Sequence, residues 1–308
     1  MGEAAALASA VTWAGTSVIL ARLGVRYAAP VLSSLRLLAA TPFILLLVIV
    51  TGSESQLRDA PTSVLFAMVA SGLVGYGLGD TTYIRSMGRF GVQRMAPPTT
   101  ALWVALSAAG GIWLLDEPFS WGLIAGGALV VGGTWFIVAQ SAATVTARAA
   151  EALAAAGAGM TAPAPSTPLA ILAIVAVALA WTVATLVLAG GRGDLGAPTA
   201  GLVRIPAGGL AIGLAVSVGT RGTILRRLPR GRDLALIGAL GILGTGMGSV
   251  LYIFAVAEAG VARATVLNST SPLLALPLSM LILRERPTGR IGIGTVFCVA
   301  GTATVLLT

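Results

Sequence analysis

The chain has 308 residues, 56% of them hydrophobic and only 10% charged, with a formal net charge of +8. A soluble domain carries roughly a quarter charged residues, so this chain has too few to cover a water-facing surface. All 19 basic residues are Arg, with no Lys and no His, which excludes a P-loop lysine, a Lys Schiff base and every histidine-based acid–base or metal scheme.

Apolar runs of about 20 residues recur along the chain, each long enough to cross roughly 30 Å of hydrocarbon. A helix satisfies its own backbone in lipid, and the alternating runs of about 10 residues that mark a transmembrane barrel are absent. The expected fold class is therefore an all-α polytopic membrane protein. Ten helices can be placed in order. Helix 1 covers about 4–21 with Trp13, and is read as retained rather than as a signal peptide, since no basic stretch precedes it. Helix 2 runs from Pro30 to about 50. After a polar loop from Gly52 to Asp59, helix 3 covers about 62–85. Helix 4 covers about 95–115, with Pro97 and Pro98 in its first turn, where proline is tolerated. Asp116-Glu117-Pro118 ends it, and helix 5 follows to about 140. Residues 141–167, rich in Ala, Ser, Thr and Pro, read as a linker, with an interfacial helix at about 144–156. Helix 6 then covers about 168–189 with Trp181, and helix 7 about 197–218. Five arginines (Arg221, Arg226, Arg227, Arg230, Arg232) precede helix 8 at about 233–256. Helix 9 covers about 264–283 and helix 10 about 289–307, with Arg284-Glu285-Arg286-Pro287 between them.

The order repeats. Gly72, Gly75, Gly77 and Gly79, followed by Asp80, recur 169 positions later as Gly241, Gly244, Gly246 and Gly248, followed by Ser249. Trp13, Pro30 and Arg36 match Trp181, Pro198 and Arg204 at a separation of 168. Tyr83, Gly91, Arg94, Asp116 and Pro118 match Tyr252, Gly260, Arg263, Glu285 and Pro287 at 169. Residues 1–140 and 168–308 are thus two five-helix repeats joined by the linker 141–167. An odd number of helices per repeat inserts the two with opposite orientation, a common transporter architecture with its site near the midplane. The GxxxG spacings Gly75/Gly79 and Gly244/Gly248, with Gly72 and Gly241, suit close helix packing.

The arginines lie mostly between apolar runs, as the positive-inside rule requires, so nucleic acid is not an implied partner. With the N-terminus outside, the inner loops hold Arg22, Arg26, Arg89, Arg94, Arg148, the five arginines before helix 8, and Arg284, Arg286 and Arg290. The other side holds Arg58, Arg192 and Arg263 with most of the loop acids. The count favours both termini outside.

Ionisable residues within a span carry a functional hypothesis by default. Arg36 lies about 9 Å into helix 2 at 1.5 Å per residue, and Asp80 a similar depth from the end of helix 3 on the same side, so the two can pair. Two readings stand: an interhelical clamp, or a gate or proton-linked pair. Arg204 occupies the equivalent place in helix 7, but its expected partner, Ser249, is uncharged. It either binds a substrate carboxylate or phosphate, or snorkels to the boundary or bonds backbone carbonyls at a helix end. Trp13, Trp181, Tyr83 and Tyr252 fit a cavity wall or helix packing. Asn268, Ser269 and Ser271, ahead of Pro272, line helix 9 or bond between helices. Glu258 reads as solvated. The lone Cys298 allows no disulfide within the chain and reads as a core residue. No catalytic residue, metal site or cofactor is indicated.

These features in this order resemble the EamA family of the drug/metabolite transporter superfamily. The resemblance rests on Trp13 and Trp181, on Pro30 to Arg36 and Pro198 to Arg204, on the Gly-rich third helix ending in Tyr83 and Tyr252, and on Glu117-Pro118 and Glu285-Arg286-Pro287. It implies a secondary transporter in the cell membrane, often an exporter of amino acids and related metabolites, with a central cavity between repeats. It also implies termini in the cytoplasm, against the arginine count. Glu3 lies too near the terminus to match the membrane-embedded Glu of the short multidrug relatives. The partners implied are a small-molecule substrate, the lipid bilayer and a proton or other ion for coupling, in a monomer or homodimer. The alternatives are a membrane-embedded enzyme, weakened by the absence of His and Lys, and a non-transporting scaffold.

Overall fold

A computed structural model describes residues 1–24, 26–90, 92–136, 167–222, 228–271, 273–274 and 289–308. The described residues contain helices and no strand. In chain order the helices are α1 (Gly2–Gly24), α2 (Ala29–Val50), the short α3 (Glu54–Arg58), α4 (Thr62–Gly72), α5 (Thr81–Phe90) and α6 (Val92–Leu114). They continue with α7 (Trp121–Phe136), then α8 (Thr167–Gly191), α9 (Ala197–Gly219), α10 (Arg232–Leu240), α11 (Gly248–Asn268) and α12 (Gly289–Leu307). A π-helical segment, Leu73–Asp80, joins α4 to α5 without a break, and a second, Gly241–Met247, joins α10 to α11. Both widened segments coincide with the glycine runs, and such turns frequently mark functional sites.

Five segments are long and apolar enough to cross a membrane: Ala29–Val50, Thr62–Met87, Pro168–Gly191, Ala197–Gly219 and Arg232–Asn268. Only 33–44% of each apolar window is buried inside the protein, so much of each helix turns apolar side chains outward. Phe66, Leu78, Leu210 and Leu214 are exposed, a surface suited to lipid rather than to water. Trp113 and Trp121, also exposed, stand at the ends of α6 and α7 where an aromatic belt would meet headgroups. The protein is a polytopic membrane protein.

Several boundaries differ from the sequence expectation. The third apolar segment stays helical to Phe90, and α6 starts at Val92 rather than about 95. Pro97 and Pro98 therefore fall in the second turn of α6, not its first. The loop between α2 and α4 carries α3, whose Gln56 Oε1 accepts hydrogen bonds from Gly196 N and Thr199 Oγ1, both at 2.8 Å. This side chain of the first half thereby caps the start of α9 in the second. Most of the linker, its interfacial helix, and the Arg284–Pro287 segment lie outside the described residues, as does helix 9 beyond 274.

A single break divides α11. Gly260 has φ +82°, in the left-handed region that favours glycine. The backbone N–H groups of Val261 (2.5 Å) and Ala262 (3.0 Å) then donate to the Glu117 carboxylate. A Cβ on Gly260 would lie 2.8 Å from Glu117 Oε1, so the position needs glycine for conformation and for space. Glu117 follows α6 and caps the helix that starts at Val261, satisfying two of its orphan donors.

Both ends of the chain lie at this end of the bundle. Glu3 pairs with Arg263 at 3.4 Å, and Thr308 packs where a Cβ on Gly122 would fall. At the opposite end Arg26 pairs with Asp233 at 3.0 Å. Tyr27 donates to Asp233 at 2.6 Å, and that bond to a carboxylate raises its phenol above the usual value.

The halves cross at the glycines, and the contacts are reciprocal. A Cβ on Gly72 would overlap the carbonyl oxygen of Arg204; a Cβ on Gly241 would sit 2.5 Å from that of Arg36. Gly75 faces Ala184, and Gly244 faces Thr16, residues 168 positions apart. Gly79 faces the Trp181 indole, and Gly248 faces Thr12 and Trp13. Each run thus lies in the fork of two helices from the other half: α8 and α9 for the first, α1 and α2 for the second. Ser71 Oγ donates to Ala184 O (2.6 Å) and Ser9 Oγ to Gly248 O (2.8 Å), which ties the same crossings.

Candidate functional site

Two arginines are buried in the middle of these crossings, Arg36 at 4% exposure and Arg204 at 5%. Each is carried into the interior by a helix that opens with a proline, Pro30 in α2 and Pro198 in α9. The proline's fixed φ and missing N–H suit a first turn. Each arginine then reaches across to the glycine run that its own half or the other half supplies.

Arg36 is paired with a carboxylate. Its Nη2 donates to Asp80 Oδ2 at 2.9 Å, and its guanidinium lies 5.4 Å from the centre of the Trp13 ring, within cation–π range. The second Asp80 oxygen accepts the Trp181 indole N–H at 2.9 Å. Asp80 therefore joins α2 of its own half to α8 of the other. The pairing anticipated from equal depth is present, and the Trp181 bond adds a link between halves.

Arg204 is arranged differently. Its guanidinium stacks over the Tyr76 ring at 5.0 Å. Its Nε and Nη1 are buried with no hydrogen-bond partner. Ser249, at the position where the first half has Asp80, accepts the Tyr76 hydroxyl at 2.7 Å instead. A Cβ on Gly75 would lie 3.4 Å from Arg204 Nη2, so the glycine run passes directly beside this side chain.

An aromatic wall continues from Asp80. Tyr83 meets Trp181 edge-on at 4.8 Å, Trp103 meets Trp181 at 5.8 Å, and Trp103 meets Tyr252 at 6.3 Å. Tyr252 Oη and Thr185 Oγ1 are 3.4 Å apart. Trp103 Nε1 is buried without a partner, as are Arg36 Nε, Thr81 Oγ1, Thr99 Oγ1 and Thr245 Oγ1. Buried polar groups are nearly always bonded, so each of these atoms is free to take a further partner.

The structure thus links Trp13, Arg36, Asp80, Trp181 and Tyr83 through direct contacts, reaches Tyr252 by way of Trp103, and ties Arg204 to Ser249 through Tyr76. Asn268 stands apart: its Oδ1 is buried and unpartnered, and no bond or ring contact among the described residues ties it to the group. Glu258 is exposed. Cys298 is a buried free thiol packed against Thr134 and the Val130 carbonyl. Two residues of the centre escaped the sequence reading. Tyr76 sits inside the first glycine run, but its counterpart is Thr245, and Trp103 has no aromatic counterpart at all. A search for doubled features passes over both; the available signal for Trp103 was a Trp in mid-helix, away from the belts.

The described residues bring no group of three or more metal-ligating side chains together. The chemistry they do offer is recognition: hydrogen-bond donors, two cations with one carboxylate, and aromatic faces.

The model of the EamA-like transporter family matches residues 1–139 and again residues 168–307. No curated protein gives a match. A solved crystal structure superposes with a TM-score of 0.74 at 18% identity, over 99% of this chain and 97% of the other, a likeness that shows the fold.

Proposed function

The chain belongs to the EamA-like transporter family, and on that footing we propose that it moves small organic metabolites, amino acids or related solutes, across the cell membrane as a secondary transporter. Ten spans form two inverted five-helix repeats, and the site between them opens to one side at a time, in the direction of export. The reciprocal seating of each glycine run in the other half carries this reading. Two like halves that cross at glycines can rock about one centre, and the buried donors and aromatic faces lie at that centre. A proton or another ion supplies the coupling, and the functional unit is a monomer or a homodimer.

Saturable flux of at least one amino acid or related solute is expected in proteoliposomes holding the full chain, above that of protein-free vesicles, when a metabolite panel is run with and without a pH gradient. Product formation without flux would replace this reading with a membrane-embedded enzyme. Neither flux nor product across the panel would leave a scaffold.

Orientation follows from charge. Arg26, Arg89, Arg221, Arg230 and Arg232 gather at one end, whereas Glu54, Asp59, Asp116, Glu117 and Asp194 gather at the end that holds both termini. The positive-inside rule puts the basic end in the cytoplasm and the termini outside. A periplasm-active phosphatase fused after Thr308 is expected to be active; a cytoplasm-only reporter active at the same place would reverse the assignment.

A further inference from the structure

We infer that Arg204 is the seat of a single oxyanionic group on the transported molecule, so that the substrate class is small organic anions, carboxylates above all. The inference deepens the transporter reading and rests on it for the word "transported", but not for the binding site itself.

Three observations converge. First, Arg204 is almost wholly buried, yet its Nε and Nη1 have no acceptor. An arginine does not deprotonate in proteins, so burial cannot be relieved by loss of charge. Second, the charge at the centre does not balance. Arg36 and Arg204 are two buried cations and Asp80 is one largely buried carboxylate, itself committed to Arg36 and Trp181. One further negative charge would make the set neutral, and an unpaired buried ion is strongly unfavourable. Third, the guanidinium is held in place by groups that do not use its donors. The Tyr76 ring supports its face, and the Tyr76 hydroxyl is anchored on Ser249. A fixed, planar cation with free N–H groups suits a carboxylate or phosphate better than a flexible ammonium would.

The duplication sharpens the point. Arg36 occupies the same place in the other half and is neutralised from within the chain by Asp80. At Arg204 the residue that would do so is Ser249. The first half supplies its own anion; the second half takes one from outside. Trp103, with its unpartnered indole N–H and its edge-on and tilted contacts with Trp181 and Tyr252, offers an aromatic surface for the remainder of such a molecule.

The test uses the purified full chain in nanodiscs and reads thermal unfolding and equilibrium binding. The probes are acetate, benzoate, indole-3-acetate and inorganic phosphate, with benzamide and methyl benzoate as uncharged counterparts. At least one anion is expected to raise the unfolding temperature of the native protein in a saturable way, with its uncharged counterpart inert. A response to carboxylates and one to phosphate alone identify the two forms of the same oxyanion site. Arg204→Gln is expected to weaken that binding by about tenfold to a hundredfold. In the absence of anions it is expected to unfold at a temperature equal to or above the native protein's, because it removes an unpaired buried charge. An Arg204→Gln protein that is markedly less stable without ligand, or that keeps native affinity, would overturn the inference, as would a native protein stabilised by none of the anions or equally by the uncharged counterparts. Flux is scored separately. Anion binding without flux of that anion sinks the transporter reading and leaves the site; flux of neutral solutes unaffected by Arg204→Gln sinks the site and leaves the transporter.

Discussion

Gly72→Ala is expected to leave little stable protein, and Gly241→Ala likewise, whereas Gly77→Ala is expected to be neutral or mildly stabilising. All three glycines lie in the same repeated run, so propensity alone would predict the same gain for each, up to about 1 kcal/mol. The surroundings decide otherwise. A methyl group on Gly72 would enter the carbonyl of Arg204, and one on Gly241 would lie 2.5 Å from the carbonyl of Arg36. The opposing atoms are backbone in the middle of α9 and α2, so no rotamer change can make room. Around Gly77 nothing lies within 4 Å. Overpacking of this kind costs about 1–3 kcal/mol and sometimes more, so the variants should differ from Gly77→Ala by about 2–4 kcal/mol. Thermal unfolding in a single detergent, with the yield of monodisperse protein, measures the gap. Equal stability of Gly72→Ala and Gly77→Ala would mean that the two halves do not cross where these glycines place them.

The contrast between these glycines also marks how far the sequence could be read. The doubled spacing identified the runs, the helices and the family resemblance, because apolar length and repeated order are properties of the chain itself. Which surface each run meets is a property of two distant segments, and GxxxG spacing looks the same whether the partner is a neighbour or the other half. Arg36 and Asp80 were paired correctly from depth along their helices, since two ionisable residues at one level in lipid have few alternatives. The bond from Trp181 to Asp80 was not legible, because it depends on α8 packing beside the first glycine run. The cap that Glu117 places on Val261 and Ala262 was hidden for the same reason: its motif is local, its partner 144 residues away. Features present in one copy only, Tyr76 and Trp103, were lost to a reading built on what repeats.

Asp80 is where the second large effect is expected. Asp80→Asn keeps the shape of the side chain and an acceptor for the Trp181 indole, but leaves Arg36 buried without its carboxylate. Removing one partner of a buried ion pair typically costs about 3–5 kcal/mol, and here it also raises the net positive charge of the centre by one. The protein should lose most of its folded yield. Arg36→Gln alone should also destabilise it, because Asp80 then keeps only the Trp181 bond as a local partner. The double replacement, Arg36→Gln with Asp80→Asn, removes both charges and should recover most of the lost stability, since neutral pairs of similar volume are often as stable as the ion pair they replace. A double-mutant cycle on unfolding free energy isolates that coupling. Transport by the recovered double variant then separates the two roles open to the pair. Native flux would make it a clamp between α2 and the first glycine run, and nothing more. Flux reduced by tenfold or more in a protein of restored stability, a barrier change of at least about 1.4 kcal/mol, would make the charge on Asp80 part of the transport cycle. The second result is the expected one. Asp80 holds Arg36 of its own half with one oxygen and Trp181 of the other half with the second. A group bonded to both halves at their crossing must exchange partners whenever the halves move relative to each other.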